Sequence, residues 1–146
     1  YIIMNLGFFS WLLMMKRNNI YYEQIDDLSG LSKNHPLISL SLLIILFSLA
    51  GIPPLAGFFA KFYIFKSVIE QSMYFLAIVG LLSTVIAAFY YLRIIKIMYF
   101  DDEKDSYDKD HSLWLKLSLT ISTLLILMYF IFPSELIDVV SKINII

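Results

Sequence analysis

At 146 residues, 60% hydrophobic and 16% charged, with a mean hydropathy of +0.77, this chain is too apolar for a soluble domain, where about half the residues are apolar and about a quarter charged. A net charge of -1 with no basic tract argues against nucleic acid as a partner. The complete lack of cysteine excludes a disulfide framework and thiolate-held iron–sulfur clusters. The two histidines, His35 and His111, stand in polar connections. No metal-ligand, Gly-rich or catalytic-triad pattern is present, and the apolar start has neither the charged region nor the cleavage site of a secretory signal.

The first apolar run, 1–15, ends at Lys16-Arg17-Asn18-Asn19, a good helix stop. At 1.5 Å per residue it falls short of a full crossing. The chain is therefore predicted to start inside a helix, as the C-terminal part of something longer, one product of a split gene or an incomplete chain. A polar loop, YYEQIDDLSGLSKNH, follows and is closed by Pro36 at an expected first helical position. The second span, 37–69, is apolar apart from Lys61, three serines and its polar far end, and is longer than a straight crossing needs. Its middle holds Gly51-Ile52-Pro53-Pro54, with Gly57 shortly after. Proline removes a backbone donor and clashes with the carbonyl four residues back, so the pattern predicts a broken helix. In lipid its freed backbone groups need partners from protein or water. The third span is predicted over 73–98 and the fourth over 113–132, ended by Pro133, with the charged loop FDDEKDSYDKDH between them. In the tail, 133–146, Leu136, Val139, Val140 and Ile143 fall on one helical face, as in an interfacial amphipathic helix. The fold class is thus an all-α membrane protein of about four transmembrane helices, the second one broken.

Loop charge orients the spans. Lys16, Arg17, Lys33, Arg93, Lys96, Lys104, Lys109 and Lys116 fall on one side, and only Lys66 and Lys142 on the other. The basic side is expected in the cytoplasm or matrix, and the C-terminus outside.

Lys61 is the sharpest chemical signal. An ammonium deep in a bilayer costs about 3 kcal/mol on insertion scales, and such residues mark ion or proton paths. A lysine there is a switch whose charge a neighbour can set. The alternative is a lysine at the end of a straight helix that snorkels to the interface. The double proline favours the first reading, because broken helices at membrane depth are where transporters place their sites. Arg93 and Lys96, three residues apart, share one face and read first as positive-inside anchors, with a place on a proton path as the alternative, beside an aromatic belt of Tyr90, Tyr91 and Tyr99. Ser83 and Thr84, at mid-span, read as packing residues or as hydroxyls that hold water or bridge helices. Glu23, Asp26 and Asp27 read as solvated loop charge or a contact with a neighbouring subunit.

The stretch LFSLAGIPPLAGFFAKFYIF, Leu46 to Phe65, resembles the second broken helix of the antiporter-like subunits of respiratory complex I, NADH:ubiquinone oxidoreductase. Among these it is most similar to the subunit 2 family, chain N in bacteria. MNLGFF at Met4 to Phe9, YYEQIDDLSGL at Tyr21 to Leu31 and AAFYYLRIIKIMYFD at Ala87 to Asp101 agree in order and spacing. The resemblance runs to about residue 132 and does not include the tail. It implies the C-terminal portion of an inverted-repeat fold, with Lys61 as the lysine of a charged axis across the membrane arm. It implies further that the family's remaining axis residues lie upstream of residue 1.

By the same resemblance the chain is part of an enzyme only as a subunit and has no redox centre of its own. FMN, iron–sulfur clusters and quinone are expected in other subunits, and no cofactor or metal in this one. The implied partners are other membrane-arm subunits, the rest of subunit 2 and phospholipids. The implied location is the mitochondrial inner membrane or, as the alternative, the bacterial inner membrane. Two other readings stay open: a structural module that docks subunits and lipids, and a subunit of the related cation/proton antiporters.

Overall fold

A computed structural model describes residues 1–17, 20–21, 24–102 and 112–131. The predicted tail at 133–146, Pro133, Glu23 and most of the charged loop with His111, Lys104 and Lys109 lie outside the described residues.

Helix α1 covers Ile2–Leu12, shorter than the predicted 1–15. Met14 and Met15 leave the helix yet remain buried in the core. Lys16–Arg17 and Ile20–Tyr21 pair antiparallel, Lys16 opposite Tyr21 and Arg17 opposite Ile20. The predicted loop then contains two short elements, a 3-10 turn at Ile25–Leu28 and helix α2 at Leu31–Asn34. The Gln24 N–H donates to Asp27 Oδ2 at 3.3 Å, which caps the turn. Gly30, at φ 67°, redirects the chain. Its N–H donates to the Ile97 carbonyl, which fastens this segment to the far end of the third predicted span.

The second predicted span is two helices of 15 residues each, α3 at Pro36–Ala50 and α4 at Ala56–Glu70. Pro36 opens α3, where its missing N–H costs nothing. Three residues connect α4 to α5. The Met73 N–H donates to the Val68 carbonyl and the Ser72 N–H to that of Ile69. Ser72 takes the left-handed conformation, φ 59°, that closes such a helix end. Helix α5 covers Tyr74–Phe100 and α6 covers Leu113–Ile131. The 27 residues of α5 rise about 40 Å, enough to cross about 30 Å of hydrocarbon. Among the described residues it alone is long and apolar enough to do so by itself, while α1, α3 and α6 are shorter apolar helices.

The core lies where α1, α3 and α6 meet the last turns of α5. Leu42, Ile45, Leu46 and Met98 are fully buried there, with Met4, Trp11, Leu119 and Ile126 around them. Gly7 permits the close approach of α1 to its neighbours. A Cβ at that position would stand 2.8 Å from Ile45 Cδ1 and 2.9 Å from Ser122 Cβ. Ser10 Oγ bridges to Ser118 Oγ at 2.7 Å, one polar link between α1 and α6. Most of α5 between Phe75 and Tyr90 is exposed apolar surface, as expected of a helix against lipid or further protein.

The helix break at Gly51 and the seat of Lys61

The last turn of α3 ends by a pattern the sequence dictates. Gly51 takes φ 83°, a left-handed conformation that costs an L-residue with a side chain about 1–2 kcal/mol. From there the Ile52 N–H donates to the Phe47 carbonyl at 3.0 Å and the Gly51 N–H to that of Ser48 at 3.0 Å. These are the two bonds of a Schellman stop. They leave the carbonyls of Leu49 and Ala50, the last two of the helix, without a backbone donor.

Lys61 fills both vacancies. It lies in the second turn of α4, and its Nζ donates to the Leu49 carbonyl at 2.8 Å and to the Ala50 carbonyl at 3.1 Å. The ammonium thus sits at the negative end of the α3 dipole, where a cation is favoured. Gly51 makes room for the lysine stem, since a Cβ there would stand 3.0 Å from Lys61 Cδ and 3.3 Å from Nζ.

The start of α4 is tied to the same place. The Gly57 N–H, an orphan donor of the first turn, donates to Ser48 Oγ at 3.1 Å. Gly57 is required by this contact, because a Cβ would collide with the Ser48 backbone carbonyl. Pro53 and Pro54 occupy the exposed connection, with a cis peptide between them. They supply no donors, so the break holds fewer N–H groups in need of partners.

A cavity of about 490 Å³ opens beside Lys61, between α4 and α5. Its walls are mainly apolar, including Phe58, Phe62, Phe65 and Leu81; Thr84 lines one side and the Lys66–Glu70 pair another. That pair is 3.8 Å apart and exposed.

Among the predicted site residues, Lys61, Gly51 and Gly57 converge at the break, and Thr84 lines the cavity with Lys61. Ser83 does not line it. Both hydroxyls donate to carbonyls of their own helix, Ser83 to Val79 and Thr84 to Leu81, and neither bridges to another helix through those bonds. Arg93 and Lys96 are exposed and lie about 14 Å and 18 Å along α5 from Thr84. They stand at the end of α5 against which the 24–34 segment packs, apart from Lys61. The residue that sequence reading missed is Ser48, fully buried and bonded across the break. Its signal was its place three residues before Gly51, which set it apart from the other serines of the run.

The NADH:quinone oxidoreductase/Mrp antiporter transmembrane family model matches residues 1–87. The chain belongs to that family. It is 81% identical, over its whole length, to NADH-quinone oxidoreductase subunit N of Pelagibacter ubique, and covers 31% of that protein. It is 44% identical to subunit N of Paramagnetospirillum magneticum over 94% of the chain and 28% of the relative. The chain therefore spans about a third of the length of the curated relatives it matches. A chain of respiratory complex I from Thermus thermophilus has the same fold, with a TM-score of 0.70 and 22% identity, over 90% of this chain and 31% of that one. The all-helical membrane fold of an antiporter-like subunit, broken in its second span, is thereby established. These relatives are bacterial, whereas the sequence reading put the mitochondrial inner membrane first.

Proposed function

We propose that the chain forms the C-terminal part of a subunit N in the membrane arm of a bacterial proton-pumping NADH-quinone oxidoreductase, with Lys61 as a protonatable station. Its place would be the bacterial inner membrane, with the C-terminus on the periplasmic side and the redox groups in other subunits. The observation that carries this reading is the seat of Lys61. An ammonium within an otherwise apolar span is held by two main-chain carbonyls at a helix break and borders a cavity.

The physical link between proton and structure follows from donor count. A protonated lysine has three N–H donors and bonds both carbonyls; the neutral amine has one donor fewer and a weaker pull on the α3 dipole. Loading or unloading Lys61 therefore changes how firmly α4 is held to the end of α3. A change of charge in a neighbouring subunit would bias that equilibrium, and the proton would belong to the coupled network more than to one residue. Quinone reduction elsewhere in the complex would supply the energy.

Replacing Lys61 by Met in the full complex is expected to depress proton translocation into membrane vesicles several-fold, with assembled complex unchanged on native gels. Normal translocation by an assembled Lys61→Met complex would remove the reading. The 81% identity to a subunit N favours this assignment over a separate cation/proton antiporter of the same family.

A further inference from the structure

We propose that Ser48 is a positioning residue for Lys61, its hydroxyl fixing how far α4 stands from the end of α3. This rests on the reading of Lys61 as a proton station.

Two contacts, three hydrogen bonds in all, span the break from α4 to α3. One is the Lys61 ammonium on the Leu49 and Ala50 carbonyls. The other is the Gly57 N–H on Ser48 Oγ. Gly57 lies one turn before Lys61 on α4, as residues four apart do, and Ser48 directly precedes Leu49 on α3. The serine bond therefore sets the height of α4 one turn below the lysine. It is made by a fully buried hydroxyl, so no water replaces it when it is removed. Without it the Gly57 N–H is stranded, and α4 shifts to find a partner. Such a shift carries Lys61 off carbonyls that stand only 2.8 Å and 3.1 Å away. Ser39 provides a matched control. It is also fully buried on α3, but its hydroxyl donates within its own helix, to the His35 carbonyl at 3.0 Å, and it holds nothing across the break.

The test uses the full complex in membrane vesicles, with protons moved per quinone reduced as the readout. Ser48→Ala is expected to lower that ratio threefold or more, and Ser39→Ala to leave it unchanged. The double variant Ser48→Ala/Lys61→Met decides whether Ser48 acts through the lysine. It should pump no worse than Lys61→Met alone, whereas a merely structural role would add its own loss. An unchanged ratio in assembled Ser48→Ala complex, or additive losses, overturns the proposal while leaving Lys61 its role. Normal pumping by Lys61→Met overturns the underlying reading instead. Should Ser48→Ala fail to accumulate, Ser48→Cys, whose thiol is a poor acceptor, takes its place with the same two outcomes.

Discussion

The two halves of the broken span have the same length and opposite surroundings. In α3, Ser39, Leu42, Ile45, Leu46, Ser48, Leu49 and Ala50 are buried, packed against α1, α5 and α6. In α4 only Gly57 is buried, and Phe62, Tyr63 and Ile64 are about half exposed. One half is buried among its neighbours, and the other is tied to it by polar bonds at its first turns, through Ser48 and Lys61, while Phe59 meets Tyr129 of α6 and Phe65 rests against Gly80 of α5. In a membrane the exposed apolar face of α4 carries little penalty, because lipid tails are as apolar as the side chains they meet. The polar bonds at the break thus carry a larger share of what fixes α4 than any similar bonds carry for α3. A charge sits where the exposed half meets the buried one.

The comparison can be broken most directly at the joint. Gly57→Ala places a carbon on the Ser48 carbonyl and is expected to cost about 3 kcal/mol or more. Subunit should then be largely missing from assembled complex on native gels; wild-type levels would show that α4 tolerates another approach. Next, the halves should answer differently to truncation. Leu46→Ala empties a fully buried site and should cost about 3 kcal/mol, whereas Ile64→Ala in α4 should cost below about 1 kcal/mol. Unfolding of the detergent-solubilised subunit followed by helical circular dichroism would compare them. Equal costs would mean that the outer face of α4 is covered. The smallest effect belongs to Lys66→Gln. It breaks an exposed i,i+4 pair with Glu70, worth about 0.5 kcal/mol or less, and should leave pumping and stability near wild type in the same assays.

The sequence made the break legible because its signals are categorical. Pro53 and Pro54 cannot continue a helix, Gly51 beside them favours its end, and a lysine in an apolar run stands out against its background. Which polar residues meet was not legible. Ser39, Ser41 and Ser48 are the same residue type in one apolar run; the nearness of Ser48 to Gly51 marks it, but only the geometry of the two helix ends shows that it meets Gly57. Ser83 and Thr84 are adjacent, so about 100° of helix rotation separates them; with their surroundings on α5, from Tyr74 to Phe89, otherwise apolar on every face, no pattern says which one turns toward Lys61. The 3-10 turn and α2 were missed because a single turn shows no periodicity. Their marks, a capping Asp27 and a left-handed Gly30, are local and weak. The first helix was read too long because Met14 and Met15 stay apolar while serving the core outside the helix.

The acceptors that hold Lys61 are main-chain oxygens, and this has a consequence for how the site can vary. No exchange of the side chains at positions 49 and 50 deletes those oxygens, so drift at these positions leaves the chemistry in place. What can alter them is the helix ending itself, set by Gly51. The acceptor pair is therefore inherited as a backbone shape, set by the residues that decide where α3 stops.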